Sequence, residues 1–150
     1  MIRYVQGDLL TADVEGLVNA VNCVGVMGKG LALQFKQKFP ENFKQYASAC
    51  KAGAVKPGSM FVVATGNDTN PKFLINFPTK RHWKDRSRID DIKSGLVALV
   101  AETKASKMAS LAIPPLGCGL GGLNWNDVKP LIEEAFSALP EVDVLIFEPQ

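Results

Sequence analysis

Two glycine clusters, a short cationic run and one amide side chain hold most of the chemistry that this 150-residue sequence could perform. Gly25, Gly28 and Gly30 form the first cluster, and Gly117, Gly119, Gly121 and Gly122 the second. Glycine has no Cβ, so backbone N–H groups can approach phosphate oxygens closely, and a helix starting just beyond adds unpaired donors and the positive end of its dipole. One such loop is as readily a plain turn; two that face each other could grip a diphosphate from both sides. Gly117, Gly119 and Gly122 formally satisfy G-x-G-x-x-G, yet that fingerprint should open a βαβ unit and meet an acid at a strand end about 20 residues on. Only 28 residues follow Gly122, and Asp143 falls at the start of its strand, which excludes a dinucleotide oxidoreductase. Gly28-Lys29-Gly30 lacks the Ser or Thr that a Walker A loop uses to hold magnesium.

The nine residues from Lys80 to Arg88 carry five cations (Lys80, Arg81, Lys84, Arg86, Arg88) against Asp85, while the rest of the chain holds 12 bases and 14 acids. Behind a net charge of +2, basicity is therefore local, as expected when one face must meet an anion. Trp83 in that run either lids the core or offers a stacking platform to a nucleic-acid base. His82, the only histidine, reads as a surface or hydrogen-bonding residue and stays outside the catalytic set. The Asn22 amide carries donors and an acceptor, so it can orient hydroxyls or a water, or brace its own loop as an Asx turn. Cys23, Cys50 and Cys118 are odd in number and lack metal-type spacing, so neither a disulfide framework nor a metal site is implied. Cys118 reads as a small loop residue, not a nucleophile.

These groups need a frame. Strands are predicted over Ile2 to Gln6, Gly16 to Val21, Ser59 to Ala64, Phe73 to Phe77, Leu111 to Pro114 and Val142 to Phe147, each an apolar run bounded by turn residues. Helical spacing runs from Gly28 to the stop at Pro40, over Glu41 to Ala52, over Ile89 to Lys104, and over Asn126 to Ala138. The third and fourth strands, joined by an Asn- and Asp-rich loop, are expected to pair antiparallel. Strands alternating with helices and near-continuous apolar strands argue an α/β class with three layers, a central mixed, mostly parallel six-stranded sheet covered by helices on both sides. In such sheets ligands bind beyond the carboxyl ends of the strands, where both glycine loops fall. Length and composition, 47% hydrophobic and 21% charged, fit one domain over residues 1–150. No apolar run is long enough for a bilayer, and the N-terminus turns polar too early for a signal peptide, so the expected location is cytoplasmic, with no membrane partner.

Gly7-Asp8-Leu9, then Asn19-Ala20-Val21-Asn22 leading into Gly28-Lys29-Gly30-Leu31-Ala32, then Ile113-Pro114-Pro115-Leu116-Gly117-Cys118-Gly119-Leu120-Gly121-Gly122, resemble the macrodomain family, in the family's order and over essentially the whole chain. The resemblance implies an ADP-ribose site. Asp8 would accept from the adenine amino group, with the Leu9 N–H beside it, and Asn22 would face the distal ribose. Val24, Gly28, Lys29, Gly30 and Leu31 would wrap that ribose and the nearer phosphate. Gly117, Cys118, Gly119, Leu120, Gly121, Gly122 and Leu123 would give backbone donors to the diphosphate, and Phe147 would stack near adenine. Asn76 to Lys84 is similar to the DarG antitoxins, partners of DarT toxins that modify DNA, and to the lysine-using branch of ADP-ribosyl-glutamate hydrolases. DarG proteins are often longer, with a further domain after this one, so the resemblance leaves open whether residues 1–150 are a whole protein or the N-terminal catalytic part of a larger one.

That likeness implies a glycohydrolase that removes ADP-ribose from thymidine in single-stranded DNA, with a DarT-type toxin as cognate partner. Lys80 would be catalytic, as an amine nucleophile at C1″ or as acid to the departing base, and Asn22 would assist. Nucleophilic use would need an amine with a lowered pKa, which the neighbouring cations could provide. Arg81, Trp83, Lys84, Arg86 and Arg88 would line the nucleic-acid path. No metal or cofactor is expected, ADP-ribose being product and ligand, and the domain is expected to be a monomer. Ester hydrolases of the lysine branch carry an acid where this chain has Gly121, so their full mechanism does not transfer. Two rivals stand beside this reading: a module that only binds ADP-ribose, and a hydrolase of ADP-ribosyl carboxylate esters or O-acetyl-ADP-ribose.

Overall fold

The alternation of burial along each apolar run sets the frame. Odd and even residues of the central strands enter different cores: Leu17 and Leu74 pack with Phe35, whereas Val18 and Ile75 pack with Ile92, Leu96 and Ile132. A strand buried on both faces has no polar side, which is why these runs read as continuously apolar. The computed structural model describes all of residues 1–150. Its strands are β1 (Ile2–Val5), β2 (Gly16–Val21), β3 (Phe61–Ala64), β4 (Phe73–Pro78), β5 (Ser110–Ile113) and β6 (Asp143–Phe147), and its helices α1 (Gly30–Lys38), α2 (Pro40–Lys51), α3 (Ile89–Ala105) and α4 (Trp125–Phe136).

The strands form one sheet in the order β1-β6-β5-β2-β4-β3. Every neighbouring pair is parallel except β3 with β4, which run antiparallel as expected. Helices α3 and α4 cover one face and α1 and α2 the other, giving the expected three-layer α/β/α arrangement. No helix is long and apolar enough to cross a membrane.

Element ends follow local chemistry. Pro40 opens α2, where its missing N–H costs nothing, and forces Phe39 out of helical geometry, which ends α1. Asp90 and Asp91 lie in the first turn of α3, favourable to its dipole, and Asn124 caps α4 by accepting from the Asn126 N–H. One expectation changes: helix α1 begins at Gly30 and not at Gly28, because residues 22–29 are held as a loop. After β1, Leu9–Thr11 form a 3-10 turn whose Leu9 and Leu10 are buried.

One buried polar cluster interrupts the α1/α2 side. The Asn76 Nδ2 of β4 donates to the Asn42 Oδ1 at 2.9 Å and to the Phe61 backbone carbonyl at 3.1 Å, and the Asn76 Oδ1 accepts from the Asn42 Nδ2 at 3.3 Å. Asn19, its register partner on β2, lies 3.5 Å from the Asn76 Oδ1. This reciprocal amide pair seats α2 on the sheet. Truncating one member leaves buried donors and acceptors unpaired, a cost of about 1 to 3 kcal/mol. Asn42→Ala should therefore lower the midpoint of urea unfolding, with the slope of the transition unchanged.

Candidate diphosphate cleft and its basic arm

Because β1, β6, β5, β2 and β4 are parallel, their carboxyl ends share one edge, and all the predicted site residues come from it. In sheet order the edge carries Asp8 after β1, Phe147 at the end of β6, the 114–123 loop after β5, the 22–29 loop after β2, and Thr79 to Arg88 after β4. The two glycine loops leave adjacent strands, so they stand side by side. An elongated ligand lying along this edge would touch them in that order.

Asn22 organises the first loop. Its side chain is buried; its Nδ2 donates to the Val26 carbonyl at 2.8 Å, and its Oδ1 accepts from the N–H groups of Val24 at 3.1 Å and Val26 at 3.4 Å. The Tyr46 hydroxyl, one turn beyond Asn42 on α2, reaches both the Asn22 Oδ1 and its carbonyl oxygen at 2.8 Å. Burial, ahead of neighbouring Cys50, pushes the Tyr46 phenol far above its ordinary range, so it remains a donor. The structure thus commits the Asn22 amide to bracing the loop. Met27, fully buried with Tyr46 and Val55, anchors the same loop, while Val24, Gly28, Lys29 and Gly30 are exposed and Leu31 half-buried.

The second loop sorts its glycines by what confines them. A Cβ at Gly121 would collide with the Ser87 Oγ and lie 2.5 Å from the Gly117 carbonyl oxygen; one at Gly117 would lie 2.8 Å from Leu123. Ser87 also donates its N–H to the Gly121 carbonyl at 2.9 Å, and its buried hydroxyl has no partner. An acid at position 121 has no room, which accounts for the departure from the ester hydrolases. Gly119 differs: its φ is ordinary and a Cβ there would meet nothing within 4 Å. Gly28 is similar, with only Val26 at 3.6 Å. Packing does not demand glycine at these two positions, so a side chain there would occupy open space at the edge where both loops stand. Leu120 is exposed, and Cys118 and Leu123 are half-buried.

The basic arm lies against the first loop. Thr79 and Lys80 donate their N–H groups to the Val21 carbonyl at 2.8 and 3.3 Å, and Cys23 donates to the Arg81 carbonyl at 3.3 Å. Lys80 is half-buried and its ammonium donates to the Trp83 carbonyl at 3.4 Å. Two exposed cations expected on a nucleic-acid path also hold contacts within the domain. Arg81 makes two 3.2 Å contacts with the buried Asp91, because the first turn of α3 sets that carboxylate within its reach. Arg86 reaches the Gly122 carbonyl at 3.4 Å, and so latches the arm to the second loop. Lys84 and Arg88 form no ion pair, and Lys84 lies 5.0 Å over the exposed Trp83 ring. His82 accepts from the Lys84 N–H at 3.1 Å and so shapes the turn.

At the far end, Asp8 caps the 3-10 turn by accepting from the Leu10 N–H at 3.0 Å, and is otherwise exposed. Phe147 packs into the core with Leu9, Leu10 and Leu17, not free to stack as expected. Trp125 opens α4 and donates to Glu148. Sequence reasoning missed Tyr46, Met27 and Ser87. The first two carried only a helix-face and an apolar signal, and Ser87 carried none, since its neighbour across the loop is distant in sequence.

Two outcomes follow. Gly121→Ala should lower the melting temperature by an overpacking cost of about 1 to 3 kcal/mol, whereas Gly119→Ala should melt as the parent does while calorimetry shows weakened ADP-ribose binding. The Cys118 thiol, pushed up to about 11 by burial and then by Asp127, stays protonated at neutral pH. Cys118→Ala should accordingly keep full turnover and resist the parent's slow alkylation at high pH.

The macro domain family model matches residues 18–132. A DNA ADP-ribosyl glycohydrolase of Mycobacterium tuberculosis is 54% identical over 149 residues, 99% of this chain and 42% of that protein. The solved macrodomain of Mycobacterium tuberculosis DarG superposes with a TM-score of 0.99 at 54% identity, covering 100% of this chain and 99% of that one. Thermosipho africanus DarTG, solved in complex with ADP-ribose, matches with a TM-score of 0.90 at 36% identity, over 98% of this chain and 41% of that one. The chain spans less than half the length of the curated relatives it matches. With the sequence motifs, the sheet order and these matches in agreement, this chain belongs to the macro domain family, alongside the macrodomains of DarG.

Proposed function

We propose that this domain hydrolyses the bond joining ADP-ribose to thymine in single-stranded DNA and so acts as antitoxin to a DarT-type DNA ADP-ribosyltransferase. The observation that carries this reading is the tethering of Lys80. Backbone hydrogen bonds from Thr79 and Lys80 to Val21 hold the Lys80 main chain against the start of the first glycine loop, and its ammonium, now on the Trp83 carbonyl at 3.4 Å, would swing from there to a distal ribose if the diphosphate spans Gly28 and Gly119. The similarity to DarG macrodomains supports the choice of substrate.

In the reaction, the C1″–N bond breaks, water supplies the hydroxyl that ends on C1″, and a proton goes to the thymine nitrogen. The transition state has oxocarbenium character and needs a group at the anomeric carbon. No carboxylate pair is available there: Asp91 is engaged with Arg81, and Gly121 leaves no space for an acid. Lys80 is the group within reach, either handing a proton to the base from its ammonium or attacking C1″ as the free amine. Asn22 serves by holding the ribose-side loop in shape. Lys84, Arg88 and Trp83 meet the strand, and the scheme uses no metal or cofactor. The domain is placed in the cytoplasm, as a monomer.

The test is incubation with an oligonucleotide treated by a DarT toxin, followed by separation of modified from unmodified strands. The parent should release ADP-ribose. Lys80→Ala should lose about a hundredfold or more of that rate, the range expected for a positioned proton-transfer group. Its affinity for free ADP-ribose should stay within about tenfold, because only the ribose end of the cleft is altered. Full activity in Lys80→Ala rejects the mechanism, and preference for modified protein over modified DNA rejects the substrate.

A further inference from the structure

The two helical layers carry opposite charge. Residues 29–56, which span α1 and α2 with their flanks, contain six lysines and a single acid, Glu41. On the other side of the sheet, α3 and α4 together hold six acids and three lysines. All six lysines of the first group are exposed and none forms an ion pair. Lys38 is occupied by the Leu10 carbonyl at 2.9 Å and Lys36 lies 4.4 Å over the Phe43 ring, but Lys44 and Lys51 are free. With Ser48 they fall at i, i+4 and i+7 on one exposed stripe of α2, so the Cα atoms of the two lysines stand about 10 Å apart along the axis.

This stripe is continuous with the cleft. Gly25 lies on α2, where a Cβ would be 3.6 Å from both the Ala47 Cα and the Cys50 Cβ, and Cys23 is hydrogen-bonded to the arm at Arg81. Between arm and helix stand the exposed apolar residues Val24, Val26 and Trp83, at 45%, 39% and 48% exposure. Apolar and aromatic side chains among unpaired cations suit an unpaired strand, whose bases seek contact faces while its phosphates seek ammonium groups. A protein partner would be expected to bury such a lip against acids. A rigid duplex would not present its bases to it.

Resting on the reading of the substrate given above, we infer that the DNA strand leaves the cleft over Val24 and Val26 and runs along the Lys44–Lys51 stripe of α2, away from the acidic α3/α4 side. The modified nucleotide enters beside Lys80, and phosphates further along the strand, beyond those of a trinucleotide, meet α2.

The test uses the double variant Lys44→Gln/Lys51→Gln, with Lys93→Gln/Lys104→Gln on α3 as control. Both pairs are exposed, so folding should be unaffected. The substrates are a modified trinucleotide and a long modified single strand. For the long strand, KM of the α2 variant should rise several-fold at low salt, and the slope of log affinity against log salt should become shallower by about 1.4, two phosphate contacts at about 0.7 each. Affinity for free ADP-ribose and KM for the trinucleotide should not move, and the α3 control should match the parent on every substrate. An unchanged salt slope in the α2 variant overturns the track, as does an equal loss in the α3 control. If the parent itself leaves the modified strand intact, the substrate reading falls, and the track with it.

Discussion

The buried amide of Asn22 is the constraint on which the rest of the site depends. It sits just past the end of the central strand β2 and holds the backbone of the loop beyond. The Tyr46 hydroxyl secures it from below, and α2 is seated in turn by the Asn42 and Asn76 pair. The loop that faces the cleft is thus held through three polar contacts that run down one helix face into the sheet. Buried polar groups of this kind are costly when unpaired and specific when satisfied, so the arrangement favours one loop shape over its alternatives.

The electrostatics of the arm depend on the same economy of contacts. Asp91, the buried carboxylate beside it, is used by Arg81, and Asp85 is exposed. Lys80, Lys84 and Arg88 therefore form no ion pair, which leaves the arm a source of positive field at one end of the cleft. Six of the fifteen acids of the chain lie on α3 and α4, across the sheet from the lysines of α1 and α2.

Much of this was legible from the sequence because it is local. Strand and helix identity follow from periodicity and punctuation, and the position of both glycine loops at strand ends follows from the α/β pattern. The motif around Asn76 to Lys84 pointed to the right branch of the family. What escaped was every property set by a distant neighbour. Gly119 and Gly121 look alike in the chain, yet only the second is confined by Ser87, more than thirty positions earlier. Arg81 and Arg86 look like their free neighbours, but a carboxylate one helical turn into α3 and a carbonyl in another loop claim them. The charge outside the arm sums almost to neutrality along the chain, and only folding divides it into a basic and an acidic layer.

Ser87 and Gly121 share a single volume, since the hydroxyl of one occupies the space where a side chain of the other would begin. Close-packed interiors admit no double occupancy. Residue choice at position 121 is therefore confined from two sides, by the Ser87 hydroxyl across the gap between arm and loop and by the backbone carbonyl of Gly117 at 2.5 Å. Shrinking Ser87 relieves only the first, so bulk at position 121, an acid included, also requires the loop backbone to move.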